Sequence, residues 1–131
     1  MKKCIFIIVL FFNLDVTSAQ DGNRPFVFQF NKIEYYSPAN IHFPSKSEII
    51  ENNSIITVDL DLESIEIISL YHPAPAKSTY RIKEIYERET FIRFICEANN
   101  YAEIIIDLDS SLNWVKRTVI HNGIYHKFYN Y

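Results

Sequence analysis

The chain has 131 residues, with 16 acidic and 13 basic side chains and a formal net charge of −3. Its length is typical of one globular domain. The mild acidity argues against binding to nucleic acid or to anionic lipid surfaces, since both require clustered Lys and Arg. Nine Tyr, 10 Phe and abundant Ile favour strands over helices.

The N-terminal residues 1–19 have the pattern of a secretory signal peptide. The pair Lys2–Lys3 precedes an apolar run over Ile5–Leu14, which is about half the length that a membrane-spanning helix needs. Small residues then lead to a predicted cleavage site between Ala19 and Gln20. We therefore expect a secreted or periplasmic product that is not stably inserted into a membrane.

Cleavage at that site leaves residues 20–131 as a single β-rich domain. Of the two cysteines in the chain, only Cys96 lies in this domain, so no internal disulfide can form. Cys96 follows Ile95 in an apolar run, and this position predicts a buried, inert thiol.

Two proline-bearing segments, 37–45 and 72–76, are predicted loops, because proline lacks the amide donor that a strand ladder needs. Before the first loop, the alternating phenylalanines of Phe26–Phe30 predict a strand. Residues 33–36 continue this strand or pair with it.

The clearest strand lies between the two loops. Ile56, Val58 and Leu60 alternate with polar residues, which is the pattern of a sheet with one face in water. A short turn over 61–64 then leads to a second apolar segment over 65–71. The two segments predict a hairpin.

The segment from Tyr80 to Cys96 is compatible with two structures. Its isoleucines can form one stripe of a helix, but the run Phe91–Ile95 is aromatic and β-branched, which favours a strand. We expect two strands with a turn over 87–89, and a short helix is the alternative.

Two asparagine-bearing turns organise the final third of the chain. Asn99–Asn100 is predicted to join a strand over 91–97 to one over 101–108. Asn122–Gly123 is a preferred pair for a two-residue hairpin turn with positive φ at both positions. It is predicted to join the last two strands, over 112–121 and 124–131.

These elements predict an all-β fold, an antiparallel meander of about eight strands. Apolar residues on both faces at 104–106 require an open curled sheet, a sandwich or a small barrel. The chain has only two glycines, Gly22 and Gly123. Closed barrels commonly use glycine at tight corners, so we expect one of the open forms.

The last two strands place Trp114, Tyr125, Tyr129 and Tyr131 on one face, with two lysines among them. We interpret this face as a wall of the core. The alternative is a binding surface that stacks against a sugar, a lipid or a protein partner.

The same register puts His121 and His126 on one face, but the nearby strands supply no third metal ligand. The sequence also has no glycine-flanked serine elbow and no glycine-rich phosphate loop. We therefore expect no catalytic residues, no metal and no other cofactor.

Together these patterns favour a non-enzymatic exported domain that binds a protein or an envelope component. The alternative is a lipocalin-like carrier of a small apolar ligand, although Leu112 stands where lipocalins have the glycine that precedes their tryptophan. A third possibility is an enzyme with an unrecognised site. A carrier predicts an apolar cavity of a few hundred Å3, whereas a binding domain predicts an exposed aromatic patch.

Overall fold

The structure, a computed structural model, describes residues 25–70 and 76–130. Within them, eight antiparallel strands follow one another around a closed barrel. The strands are β1 Phe26–Ser37, β2 Lys46–Asp59, β3 Ser64–Ser69, β4 Ala76–Glu87, β5 Phe91–Glu97, β6 Glu103–Asp109, β7 Trp114–Val119 and β8 Tyr125–Tyr129. The predicted signal peptide and its cleavage site lie outside the described residues. No helix in the described ranges is long and apolar enough to cross a membrane.

The expected all-β meander is confirmed, but the preference for an open sheet is wrong. β8 pairs with β1 over Lys32–Tyr36 and so closes the barrel. Two β-bulges occur where the pairing register shifts by one residue, between Phe30 and Lys32 in β1 and between Ile82 and Glu84 in β4. Because a bulge bends a strand and increases its twist, bulges at these positions supply curvature that we expected from glycine.

Burial alternates along the strands, since successive side chains point to opposite faces of a sheet. The inward positions form one apolar core that fills the barrel, with Phe94 and Ile56 fully buried at its centre. The buried core residues are Phe30, Ile33, Ile56, Val58, Ile65, Ile67, Tyr80, Ile82, Ile85, Ile92, Phe94, Cys96, Ile104, Ile106, Leu108, Val115 and Phe128.

Most of the predicted elements are present. The segment 80–96 contains β4 and β5 joined by a turn over 88–90, so the helical alternative is wrong. β2 begins at Lys46, well before the alternation that predicted it. The predicted loop over 37–45 is present, whereas most of the second proline segment lies outside the described residues.

The two asparagine turns are present, but their backbone differs from the prediction. Tyr101, rather than either asparagine, takes the left-handed conformation in the β5–β6 turn, with φ of 64°. In the β7–β8 turn only Gly123 is left-handed, with φ of 72°. Thr118 pairs with Tyr125, so the register differs by two residues from the one expected. A shift of two residues leaves each side chain of β7 and β8 on its predicted face.

The antiparallel order gathers alternate loops at each end of the barrel. We call one end the mouth; it is formed by loops 38–45, 98–102 and 120–124 together with Leu70 at the end of β3. Turns 60–63, 88–90 and 110–113 form the opposite end.

Candidate functional site

Next to the mouth, the apolar interior gives way to polar side chains. Arg117 points inward because Val115 and Val119, two residues away on either side in β7, both pack in the core. Its Nη1 lies 2.7 Å from Nδ1 of His126 on β8. Its guanidinium carbon lies 5.7 Å from the ring centre of Tyr80 on β4. Since β5 and β6 separate β4 from β7, Arg117 reaches across the interior.

His126 is the neutral acceptor of the Arg117 hydrogen bond. Burial lowers the pKa of His126 to about 4, and the nearby charge of Arg117 acts in the same direction. A guanidinium has only donors, so Nδ1 of His126 must accept. The other side of the imidazole packs edge-on against Tyr35 of β1, with ring centres 4.4 Å apart. His126 therefore orients Arg117 without neutralising it.

Arg117 has no carboxylate partner in the described part of the chain. The ion pairs there involve other cations, and Nε of Arg117 is buried without a hydrogen-bond partner. Most acidic side chains of the described strands occupy outward positions, as Asp107 of β6 does in its pair with Arg93. Glu48 of β2 pairs with the inward Tyr35, but it is exposed and forms no ion pair with Arg117. The guanidinium of Arg117 thus lies near the mouth without an ion-pair partner among the described residues.

Polar side chains also line the opposite wall of the interior, on β2 and β3. Asn52 is 6% exposed, and its Nδ2 donates to Oγ of Ser69 at 2.7 Å. Within the described ranges, Oδ1 of Asn52 and Oγ of Ser54 are buried without hydrogen-bond partners. Because buried polar atoms are nearly always satisfied, this wall retains hydrogen-bonding capacity for water or another molecule.

A pocket of about 520 Å3 opens at the mouth, beside Arg117. Tyr80, Ile104 and Val119 supply its apolar surface, and Ser78 supplies a hydroxyl. The β5–β6 loop, residues 98–102, forms one side. The volume lies within the usual range for small-molecule sites. The pocket therefore combines an apolar surface with two cationic groups, Arg117 and Lys77. Of these, Lys77 already has a carboxylate partner, Glu66, at 3.1 Å.

Each loop that surrounds the mouth exposes a large apolar side chain. Ile41 in the β1–β2 loop is 94% exposed and Tyr101 in the β5–β6 loop is 80% exposed; Phe43, Leu70 and Ile120 are exposed at the same end. Single exposed apolar residues are ordinary, but their presence on every side of the opening gives the pocket an apolar rim.

The aromatic residues that the sequence singled out lie elsewhere, on the outside of the barrel. Trp114 pairs directly with Tyr129 across β7 and β8, and Tyr125 stacks on Tyr36 of β1 with ring centres 4.8 Å apart. The interpretation of this face as a wall of the core is wrong, because Val115 and Phe128 fill the inward positions. Tyr131 lies outside the described residues.

Two lysines cover these outer aromatic rings. Nζ of Lys127 lies 5.3 Å from the Trp114 ring centre, and Nζ of Lys116 lies 5.3 Å from that of Tyr125. A shallow pocket of about 360 Å3 lies alongside, bordered by Trp114, Tyr129, Glu34 and Lys127 together with two asparagines. The sequence correctly grouped Trp114, Tyr125 and Tyr129 on one face with the two lysines.

The remaining reactive side chains do not form a site. His121 is exposed in the β7–β8 turn and His126 lies inside, so the expectation that they share a face is wrong. In the described ranges, no three His, Cys, Asp or Glu side chains are placed to hold a metal ion. Cys96 is fully buried, and burial raises the pKa of its thiol to about 12.

Comparison with known protein families, with curated proteins and with solved structures returned no match. The site is therefore interpreted from its own geometry. Arg117 was missed in the sequence, although a signal exists: in Val115–Val119 the arginine occupies the position between two valines that share its face. A charge at an apolar position of a strand is the pattern that marks an inward polar group.

Proposed function

We propose that this chain is a non-enzymatic exported carrier that binds a small, largely apolar molecule in the pocket at the barrel mouth. One observation carries this proposal: an open pocket of about 520 Å3 is floored by buried apolar side chains and lined by an inward, unpaired arginine. The export part of the proposal rests on the N-terminal pattern of residues 1–19.

The packed core decides where in the barrel the ligand binds. Phe94, Ile106 and Ile56 are fully buried and fill the middle of the interior, so the ligand binds near the mouth rather than at the centre. The floor that it meets consists of Tyr80 and Ile104, which are themselves buried. Apolar surface at the floor and polar groups on the walls are the usual composition of small-molecule sites.

The apolar rim supports the same function. Ile41, Phe43 and Tyr101 are exposed around the opening, and they extend the apolar surface from the pocket to the outside. A ligand longer than the pocket can keep its protruding part in contact with these side chains, which reduces its exposure to water.

The proposal is tested by fluorescence titration of residues 20–131 with the neutral apolar dye N-phenyl-1-naphthylamine. At about 0.5 kcal/mol for each non-hydrogen atom, a dye of this size binds with a Kd of about 1 μM. We expect saturable binding at one site. Ala102→Phe, which fills the side of the pocket, should weaken it at least about tenfold.

Leu62→Phe is the matched control, because Leu62 is exposed at the opposite end of the barrel. It should leave dye binding unchanged. Absence of saturable binding by the parent chain, or equal loss in both variants, would contradict the carrier function.

A second candidate function is supported by the outer aromatic face. Trp114 and Tyr129 border the 360 Å3 pocket together with Glu34, and aromatic rings beside carboxylate and amide groups suit a sugar ring with its hydroxyls. Binding there would make this chain a domain that recognises an envelope component. Because Trp114 is the sole tryptophan, its fluorescence should change when envelope polysaccharide is added. Unchanged fluorescence at millimolar sugar contradicts this candidate.

A further inference from the structure

We infer that the ligand of the mouth pocket is an organic anion, a single carboxylate joined to an apolar body, whose carboxylate pairs with Arg117. This inference rests on the proposed carrier function and names the chemical class of its ligand. It follows from the charge near the pocket, from the free edge of the guanidinium and from the apolar surface around it.

The charge of Arg117 favours an anion as its partner in the pocket. An arginine guanidinium is a cation. His126 accepts the hydrogen bond of Arg117 as a neutral imidazole, and Tyr35 and Tyr80 are the ring partners of this pair. In the described strands no carboxylate forms an ion pair with Arg117. Glu48 lies on the same inner face through its pairing with Tyr35, but its side chain is exposed. A bound anion would therefore supply the counter-charge that the chain itself does not provide there.

The hydrogen bonds of Arg117 leave one edge of the guanidinium for that anion. Nη1 is engaged with His126, whereas Nε is buried without a partner in the described ranges. Nε and Nη2 form the edge that binds a carboxylate through two parallel hydrogen bonds. The same chain uses this edge elsewhere: Nε and Nη2 of Arg93 donate to the two carboxylate oxygens of Asp107 at 2.8 and 3.1 Å.

The contacts of Arg117 hold this edge in place. The Tyr80 ring lies on one side of the guanidinium and His126 fixes Nη1, so little side-chain freedom remains to be lost when a ligand binds. Because the low pKa of His126 keeps it neutral at neutral pH, it does not compete with the ligand as a second cation.

The surroundings select a carboxylate on an apolar body over a phosphate. One guanidinium edge compensates one negative charge, and the other cation that lines the pocket, Lys77, is already paired with Glu66. A phosphate would therefore bring a second charge against apolar side chains such as Ile104 and Val119. An uncompensated charge beside apolar side chains is strongly disfavoured. The unpaired Oγ of Ser54 and Oδ1 of Asn52 add hydrogen-bonding capacity on the opposite interior wall, for a polar substituent of the ligand or for water.

The test compares two probes of equal size, 2-naphthoate and neutral 2-naphthamide, by isothermal titration calorimetry on residues 20–131 at pH 7. We expect naphthoate to bind at least about tenfold more tightly, as a charge-assisted pair with arginine implies. Arg117→Gln should abolish this preference, so that the affinities for naphthoate and naphthamide come within about twofold of each other. The control variant Lys116→Gln removes a cation from the outer face of the same strand. It should preserve the preference for naphthoate over naphthamide.

Arg117→Lys keeps the positive charge but lacks the guanidinium edge that forms two parallel hydrogen bonds. It should therefore retain only part of the preference for naphthoate over naphthamide. Equal binding of the two naphthalene probes by the parent chain overturns the inference while leaving the carrier function intact. Displacement of naphthoate by inorganic phosphate at equal concentration would also overturn the inference, because it would indicate a site that accepts any anion. Failure of naphthoate, naphthamide and N-phenyl-1-naphthylamine all to bind contradicts the proposed function itself.

Discussion

Nη1 of Arg117 and Nδ1 of His126 lie 2.7 Å apart inside the barrel, where one side chain is a permanent cation and the other is held neutral. The pair occupies neighbouring strands, β7 and β8, at directly opposed positions. Its effect is to aim a cation with a free edge into an apolar pocket that opens to solvent.

The burial of His126 predicts a pH dependence of stability. The unfolded chain binds a proton at His126 near the ordinary pKa of 6.5, whereas the folded chain binds it only near pH 4. The unfolded state thus holds more protons within this window, so stability is lost as pH falls from about 6.5 to about 4 and levels off below that. Since His126 is partly exposed, we expect a contribution of about 1 kcal/mol after solvent screening.

Urea denaturation of the parent chain and of His126→Gln at several pH values isolates this contribution from that of the carboxylates. The difference in the free energy of unfolding between the two proteins should shrink as pH falls from about 6.5 to about 4. The control variant His121→Gln should show the same pH dependence of stability as the parent chain. A His126 signal that titrates near pH 6.5 by NMR would contradict the buried, arginine-bound position.

Cys96 should be inert in the folded protein. It is fully buried and burial raises the pKa of its thiol to about 12, so almost no thiolate is present at neutral pH. We expect 5,5′-dithiobis(2-nitrobenzoate) to react with residues 20–131 only after denaturation, with one thiol released per chain. Rapid reaction of the native protein would place Cys96 outside the core.

The Arg93–Asp107 pair on the outer face predicts an asymmetric loss of stability. The Asp107 side chain is only 3% exposed, so Arg93→Leu leaves a buried carboxylate unpaired and should cost about 2 kcal/mol. The double variant Arg93→Leu, Asp107→Leu should recover much of this loss, since it removes both charges.

The exposed pair Arg81–Glu97 is the matched comparison. Its nitrogen and oxygen lie 2.8 Å apart, but the Arg81 side chain is largely in solvent. Arg81→Leu should therefore change the free energy of unfolding by less than about 1 kcal/mol. Equal effects in both single variants, measured by urea denaturation, would show that burial of Asp107 does not determine the cost.

The glycine of the β7–β8 turn should resist substitution. Gly123 has φ of 72°, and a Cβ added there would lie 3.4 Å from Cγ of Pro38 in the neighbouring mouth loop. Gly123→Ala should lower stability by about 1 kcal/mol, because an L-residue is disfavoured in this conformation. Gly123→Asn should cost less, since asparagine tolerates it better. Thermal unfolding distinguishes the two, and an Ala variant as stable as the parent would argue against the left-handed turn.

The strand order was predictable because local patterns specify it. Alternating side chains near Ile56 and the asparagine turns at 99–100 and 122–123 mark strands and their connections. The register error of two residues left the side chains of β7 and β8 on their predicted faces, although His121 lies in the turn rather than in the strand. Closure of the sheet into a barrel was not predictable from such local patterns. It depends on the bulges at Phe30–Lys32 and Ile82–Glu84, which carry no glycine as a marker.

The site was harder to predict than the fold. The aromatic face around Trp114 was recognised because its residues share one strand pair. The mouth pocket joins Tyr80, Ile104 and Arg117 from three strands, and their proximity exists only after the barrel closes. The inward direction of Arg117 can be read from its valine neighbours, but its missing counter-ion becomes visible only when all inward positions are known.

The central claim is that a ligand binds at the mouth beside Arg117, and NMR titration of 15N-labelled residues 20–131 with 2-naphthoate tests it most directly. We predict saturable shifts of the Arg117 Nε–H signal and of the amides of Tyr80, Ile104 and Val119. Shifts confined to the outer face around Trp114 and Tyr129, with the Arg117 Nε–H signal unmoved, would contradict it.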